Sequence, residues 1–382
     1  MRSRTRIGAV LAAFAVAGGL VAGLVASSAS TAASTPAWLA KVDATVQAAY
    51  KGTEMVVPPG PKGVTGKTIW DISCTLTIPD CANASAGVDE GGKALGWNVT
   101  TVDNGTNPIT AGQQIEQAIA AHADGIVVIG IDCSAIENPL TAEQSANIPT
   151  ITIGGAPCST KTPNFTANTV INGLPFVEGQ AVNASTDRID WAISQTHGNL
   201  KVIDVDIPDF TPVVATNAGA LKALKACPTC KVVDTVNLSI QNVTALAQLL
   251  PAALNAYPSA NAVYLYSGSA LLTGAETAIK NSGRATGKNR LLVISSEGVY
   301  GEPGLIRQGW DIGTAAFSLN WNGWQADDFL NRLFHGVKAS QLPTSGAGIQ
   351  LFDATHNLPK GSTWSPPINY EAAYAKEWGV KG

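Results

Sequence analysis

Candidate side chains for ligand chemistry recur where apolar segments of this chain end. Four could exchange hydrogen bonds with hydroxyl groups and three could cover a ring face: Asp80, Asp209, Glu297, Asn320, Phe210, Tyr266 and Trp321. A neutral polyol is held by carboxylates and amides that pair with its hydroxyls, and by aromatic rings that cover its apolar face. The residue types therefore indicate binding of a small neutral molecule.

A rule of open α/β sheets extends this set, because their ligands lie outside the carboxyl ends of the strands. Applied to the strands described below, the rule gives the complete predicted ligand-binding set: Ser73, Thr75, Asp80, Asp132, Gly154, Gly155, Asp209, Phe210, Tyr266, Ser267, Glu297, Phe317, Asn320 and Trp321. An Asp that directly follows a strand also serves as a helix N-cap. Asp80 and Asp132 are open to that second interpretation.

Motifs that would make the same positions catalytic are missing from the sequence. There is no Gly-x-Ser-x-Gly elbow or Gly-x-x-x-x-Gly-Lys phosphate loop, and no Gly-x-Gly-x-x-Gly fingerprint follows the first strand. The histidines lie on predicted helices or in the C-terminal tail: His122, His197, His335 and His356. We therefore predict a protein that is not an enzyme and uses no cofactor. Because triads assemble in space, a secreted hydrolase remains the alternative.

Alternating strand-like and helix-like segments position these residues. In the first half, strands are predicted at 68–73, 99–102, 125–131 and 149–153, and helices at 82–95, 111–121 and 135–145. The pattern then restarts, with helices at 176–196, 214–226, 243–256 and 270–281 and strands at 201–205, 231–236, 262–266 and 291–295. A strand at 312–317 and a helix at 323–336 follow. Such alternation builds parallel sheets with helices on both faces. The predicted fold class is α/β, with two similar doubly wound lobes.

The N-terminus has the three parts of a secretory signal peptide. Arg2, Arg4 and Arg6 precede an apolar run at 7–25, and small residues follow at 26–33. An uncleaved membrane anchor is the alternative, since the run is long enough to span a bilayer. No Cys ends the run, so no lipid anchor is encoded, and no other segment is apolar enough to cross a membrane. The predicted location is outside the cytoplasm, secreted or in the cell envelope.

Composition excludes one class of partner. Loss of residues 1–33 would move the formal charge from −4 to −7, and no Lys/Arg cluster is present. Nucleic-acid binding needs clustered cations, so we predict no nucleic-acid partner.

Residues 34–66 are predicted to form a helical extension and a proline-rich linker, with a helix at 36–52.

Six cysteines in an exported chain suggest disulfides. Their places on the predicted elements pair Cys74 with Cys81, Cys133 with Cys158, and Cys227 with Cys230. The last pair forms Cys-x-x-Cys, but it ends a helix and precedes a strand, whereas a redox site opens a helix. No further ligands are spaced for zinc, so no metal site is predicted.

With this order of elements the chain resembles the type I periplasmic binding proteins, the ribose-binding-like family that supplies bacterial ABC importers. The resemblance runs from about Lys67 to the C-terminus. It rests on the order of five segments: 67–74, 91–97, 123–128, 148–153 and 293–298. A bacterial subgroup with a Trp-containing N-terminal helix, a Gly-Pro-Lys linker and cysteines in the first loop is also similar.

The resemblance implies a monomeric receptor whose two lobes close by hinge motion on a sugar-like solute and deliver it to an ABC permease. Lobe 1 would comprise 67–155 and 318–342, and lobe 2 would comprise 156–317 and 346–382, with crossings near Gly155, Phe317 and 342–346. Sugar-binding members often carry Asp-Arg after the fourth strand, where this chain has Gly154 and Gly155. Either the ligand approaches the backbone there or it is not a simple monosaccharide. A freely secreted scavenger or sensor without a permease is a further alternative.

Overall fold

Parallel strands dominate the computed structural model, which describes residues 35–158 and 164–380. The predicted signal segment at 1–33 lies outside the described residues. No helix in the described part of the chain is long and apolar enough to cross a membrane.

The first sheet has five parallel strands in the order β2-β1-β3-β4-β5. The strands are β1 (Thr68–Ser73), β2 (Asn98–Asp103), β3 (Gly125–Ile129), β4 (Thr150–Ile153) and β5 (Ala167–Asn168). The helices of this part are α1 (Ala37–Lys51), α2 (Pro79–Ala94), α3 (Pro108–Ala120) and α4 (Glu137–Ser145). Every residue of β3 and β4 is buried, as expected for parallel strands covered on both faces. We call this sheet and helices α2, α3 and α4 the first lobe.

A short hairpin, β6 (Val170–Ile171) and β7 (Leu174–Pro175), leads to the second sheet. That sheet has the order β13-β12-β11-β10-β8-β9. Its strands are β8 (Lys201–Asp206), β9 (Lys231–Asn237), β10 (Ala262–Tyr264), β11 (Leu292–Ser296), β12 (Asp311–Ala316) and β13 (Gln350–Phe352). Only β13 runs antiparallel to its neighbour among these strands. The two sheets confirm the predicted α/β fold of two parallel-sheet lobes, and the second sheet defines the second lobe.

The remaining helices are α5 (Phe176–Gly179), α6 (Ser185–Gln195), α7 (Thr211–Lys225), α8 (Leu246–Ala256), α9 (Ala275–Asn281), α10 (Glu302–Arg307), α11 (Leu319–Phe334) and α12 (Tyr370–Trp378). A π-helical turn at Gln180–Ala184 separates α5 from α6. Because α11 packs closely on α2, it belongs to the first lobe although it follows β12.

The first segment that crosses between the lobes pairs with a later segment of the chain. The first sheet continues through β5, so the first crossing follows Asn168 rather than Gly155. Ile171 there forms a parallel bridge with Ala347, and the Asn172 amide donates to the Ala347 carbonyl at 2.8 Å. The passage from β12 to α11 runs through Phe317 and Ser318.

The C-terminal helix α12 packs on the first lobe, whereas the sequence interpretation grouped 346–382 with the second. Aromatic stacking explains this position, since the Trp324 and Trp378 rings lie 5.6 Å apart and nearly parallel. Trp378 Nε1 also donates to Asp328 Oδ1 at 3.1 Å.

The N-terminal extension packs on the main body and contacts both lobes. Helix α1 lies against α6, and Tyr50 Oη donates to the buried Asp353, which also accepts from Trp191 Nε1 at 3.0 Å. The linker then passes the crossing segments, where the Thr53 amide donates to the Ile349 carbonyl at 2.9 Å. Farther along, Arg332 Nη2 of α11 donates to the Pro59 carbonyl at 3.0 Å.

Two buried carboxyls in the first lobe predict a pH-dependent stability. Burial raises the pKa of Asp71 to about 7, and burial together with the nearby Asp71 raises the pKa of Asp327. The folded state therefore keeps protons that the unfolded chain has lost. This stabilisation is complete below about pH 4 and is lost as the pH rises through 7. For Asp71→Asn we expect the loss between pH 4 and pH 8 to shrink by about 2–4 kcal/mol. Urea unfolding at several pH values measures it, and an unchanged pH dependence would contradict the assignment.

Candidate functional site

A cavity lies between the lobes at the carboxyl ends of both sheets. It contains about 770 Å³ of space free of protein atoms, counting its open mouth. Residues from strand ends of both lobes line it, including Ile129, Ile153, Ile207 and Glu297. Parallel strands place their carboxyl ends at one edge of a sheet, so this fold turns both such edges toward the same space.

Asp80 bridges the two lobes at this cavity. It lies in the first turn of α2, where Ile78 is the N-cap residue and Pro79 begins the helix. Its carboxylate accepts hydrogen bonds from the second lobe: from Ser267 Oγ at 2.8 Å, Ser269 Oγ at 2.9 Å and Tyr300 Oη. These contacts tie the start of α2 to the loops after β10 and β11.

Glu297 lies beside this network, directly after β11. Its Oε2 accepts from the Gly268 amide at 2.8 Å and from Ser296 Oγ at 2.9 Å. Burial, then the negative charge of Asp80, raises the pKa of Glu297 to about 8. Desolvation raises the pKa of Asp80 as well, but three hydroxyl donors favour its ionised form. Both carboxyls of this buried pair therefore hold a proton more strongly than exposed carboxyls do.

A buried arginine lies near this pair, and its positive charge opposes the rise in the pKa of Glu297. Arg188 of α6 lines the cavity with only 1% of its surface exposed. It donates from Nη1 to the Leu265 carbonyl at 3.1 Å and from Nη2 to Tyr264 Oη, and its guanidinium lies 4.4 Å from the Tyr264 ring centre.

The part of the cavity beside β3 and β4 is apolar. We call its residues Ile129, Ile153, Phe176, Val213 and Phe317 the apolar wall. The Phe176 and Phe317 rings meet edge to face with centroids 6.5 Å apart.

A second pocket of about 520 Å³, again counting its mouth, adjoins the first and shares Phe210 with it. Its polar residues include Asp132 and Asp209. Asp132 accepts from the Ala156 amide at 2.9 Å and, across the cleft, from Thr211 Oγ1. Asp209 accepts from Ser239 Oγ at 2.7 Å and the Ile240 amide at 2.9 Å, within the second lobe.

A comparison with known protein families agrees with a cavity between two lobes. Residues 77–334 match the family model described as a periplasmic binding protein domain. The chain belongs to the periplasmic binding protein family. Members bind solutes without transforming them, which confirms the prediction that the protein is not an enzyme. The family also indicates a location outside the cytoplasm. No curated protein sequence matches the chain.

Solved structures of low sequence identity share the fold. A galactofuranose binding protein is 14% identical, with 82% of this chain and 98% of that one covered and a TM-score of 0.65. The periplasmic component of the arabinose ABC transporter from Shewanella sp. ANA-3 is 17% identical over 81% and 95%, with a TM-score of 0.63. The 5-methylthioribose transporter solute binding protein from Thermotoga lettingae TMO is 14% identical over 81% and 98%, with a TM-score of 0.62.

The cavity of this binding protein brings together half of the predicted ligand set. Lining it are Asp80, Gly154, Phe210, Tyr266, Ser267, Glu297 and Phe317. Neither Asp80 nor Asp132 caps a helix with its side chain, and both carboxylates reach the opposite lobe instead. Asp132 and Asp209 line the second pocket.

Five predicted residues lie outside both pockets: Ser73, Thr75, Gly155, Asn320 and Trp321. Trp321 is fully buried and stacks on Tyr370 at 4.8 Å, so its ring belongs to the core of the first lobe. Asn320 Nδ2 donates to Glu90 Oε2 at 2.9 Å on the outer side of α2. A Cβ on Gly155 would lie 2.2 Å from the Ile131 carbonyl oxygen, so close backbone packing requires glycine there.

Sequence reasoning missed Gln180, Arg188 and Phe176. All three lie on a stretch that the sequence predicts as one continuous helix, where strand ends give no signal. Gln180 begins the π-helical turn, and such turns are frequent at functional sites.

The structure contains the three predicted disulfides. Cys74–Cys81 joins the end of β1 to α2, and both cysteines line the cavity. Cys133–Cys158 links the loops after β3 and β4, and Cys227–Cys230 closes the turn between α7 and β9. The first bridge restrains the segment that carries Asp80, which lowers the ordering cost of binding.

Proposed function

We propose that this protein is the extracytoplasmic receptor of an ABC-type importer. In this proposal it acts as an exported monomer, closes on a small uncharged sugar-like solute and delivers that solute to a permease. The main support is the cavity between the lobes, which both sheets line with their carboxyl ends. A ligand in this position contacts both lobes and therefore favours their closure.

The charge of the cavity supports a neutral solute. Burial raises the pKa values of Asp80 and Glu297, that of Glu297 to about 8, so both carboxyls favour their uncharged forms more than exposed carboxyls do. A charged ligand would bring an uncompensated charge into this enclosed space, at considerable cost in free energy.

Structural neighbours support the sugar-like class. The Shewanella arabinose component is described as bound to α- and β-L-arabinofuranose, and a neighbour from Actinobacillus succinogenes 130z as holding D-allose. We extend that class to this chain, with segments 169–175, 317–318 and 345–349 as the hinge.

A ligand screen tests the proposal. The exported protein is tested in thermal-shift assays against sugars and sugar derivatives, and we expect at least one saturable rise in Tm. At a ligand concentration 100 times Kd, the stabilisation is about 2.7 kcal/mol. Small-angle X-ray scattering (SAXS) should show no expansion with the bound solute. Mass spectrometry should recover the solute unchanged, whereas its conversion would favour the hydrolase alternative.

A further inference from the structure

The polar groups of the cavity are few and mostly engaged with one another. Asp80 already accepts three hydroxyl hydrogen bonds, and Glu297 Oε2 accepts two. Ser267 Oγ donates to Asp80 and accepts from the Ser269 amide at 3.0 Å. We call Asp80, Ser267, Ser296 and Glu297, at the ends of β10 and β11 and the start of α2, the polar edge.

One buried acceptor, on a residue that lines the cavity, has no protein partner. Gln180 is 8% exposed and lines the cavity, and its Oε1 has no hydrogen-bond partner among the described residues. The π-helical turn begins at this residue and widens the helix between α5 and α6. A buried amide oxygen without a partner is unfavourable, and a ligand N–H or O–H group placed here would supply the missing hydrogen bond.

The apolar wall offers no hydrogen bond to the hydroxyls of a sugar ring. Its five residues carry no polar side-chain atoms and are each at least nine-tenths buried. A sugar hydroxyl pressed against this wall would lose its water without gaining a hydrogen bond, which is unfavourable. An alkyl or aryl group in the same place would be favoured by its removal from water.

We infer that the solute is a sugar-like ring that carries an apolar substituent, such as an alkylthio or aryl group. Its hydroxyls meet the polar edge and Gln180, and its substituent lies against the apolar wall. This inference rests on the proposed function and narrows the class of its ligand. At Gly154 the backbone has a φ of +80°, which favours glycine, and Phe176 of the apolar wall packs beside it where a sugar-gripping side chain would otherwise lie.

Matched pairs of probes test the inference by isothermal titration calorimetry. D-Ribose is compared with 5-methylthio-D-ribose and adenosine, and D-glucose with phenyl β-D-glucopyranoside. We expect a substituted sugar to bind at least about 10-fold more tightly than its parent, as one buried apolar group can provide. Tighter binding of the parent sugars would overturn the inference and leave the proposed function intact. Binding of no probe in either series would count against both.

Neighbouring residues on α7 provide a matched test of the apolar wall. Val213 lines the cavity, whereas Val214 is 45% exposed. Val213→Thr preserves shape and adds a hydroxyl, so affinity for the substituted probe should fall about 10-fold and the preference over its parent should narrow. Val214→Thr should change neither quantity. Equal behaviour of the two variants would overturn the placement of the substituent.

A second pair of variants tests Gln180. Gln180→Ala removes the free acceptor. The parent sugar and the substituted sugar of a probe pair should therefore each bind about 10-fold more weakly, and the ratio of their two affinities should stay the same. The control, Gln117→Ala, changes an exposed residue of α3 and should leave affinity unchanged. Unchanged affinity in Gln180→Ala, with the protein folded by circular dichroism, would contradict its contact with the solute.

Discussion

Asp80→Ala is expected to open the cleft and to weaken solute binding about 100-fold. The Asp80 carboxylate gathers three donors from the second lobe, Ser267, Ser269 and Tyr300, at the start of α2. Hydrogen bonds to a charged group contribute about 1.5–3 kcal/mol each, so loss of the carboxylate removes much of the free energy that holds the lobes together. A 100-fold loss of affinity corresponds to about 2.7 kcal/mol.

Two measurements and one control separate this role from general destabilisation. SAXS should report a larger radius of gyration for Asp80→Ala, and calorimetry should report the affinity. Asp89→Ala alters the same helix and removes an exposed pair with Lys93 outside the cavity, so cleft geometry and affinity should remain those of the parent protein. If Asp80→Ala stays closed and binds normally, Asp80 does not bridge the lobes in solution.

The strands and the location of the cavity could be predicted because both follow from short-range patterns. A continuous apolar run such as Gly125–Ile129 marks a buried parallel strand, and β1 occupies 68–73 as predicted. The rule that ligands lie at the carboxyl ends of strands then places Ser267 and Glu297 in one cavity. No long-range information is needed for that step.

The remaining features of the site and fold depend on how helices and strands pack against each other, and residue spacing along the chain does not encode that packing. Asn320 and Trp321 follow a strand end as Ser267 does, yet they begin α11 and turn toward α2 and α12. Gln180 and Arg188 come from within a predicted helix, and only the π-helical turn between them shows that the helix is interrupted. Helix α12 reaches the first lobe through aromatic stacking that no local pattern announces.

The two glycines after β4 show both what the sequence predicts about the site and what only the structure shows. Their sequence position predicted either close approach of a ligand or a ligand other than a simple monosaccharide. In the structure, Gly154 lines the cavity beside Phe176, while Gly155 is confined by the Ile131 carbonyl oxygen. One glycine thus belongs to the cavity and its neighbour to the packing of the sheet, a distinction that requires the three-dimensional contacts.

Gly323→Ala is expected to lower Tm by about 5 °C or more, because α11 and α2 touch backbone to backbone. A Cβ on Gly323 would lie 2.5 Å from the Ala84 carbonyl oxygen and from the Val88 amide nitrogen. Side chains can rotate away from an added methyl group, but two helix backbones can only separate. Overpacking of this kind costs about 3 kcal/mol or more. Differential scanning calorimetry measures the change.

Gly304 of α10 provides the matched control, since a Cβ there meets nothing within 4 Å. Gly304→Ala should raise stability by about 0.4–1 kcal/mol, because alanine restricts the unfolded chain. The comparison also bears on function, as α2 carries Asp80 in its first turn and a displaced α2 would misplace that carboxylate. Gly323→Ala should therefore weaken binding of a solute that Gly304→Ala leaves unaffected. Equal Tm values for the two variants would show that the helices can separate at little cost, and that their contact does not position Asp80.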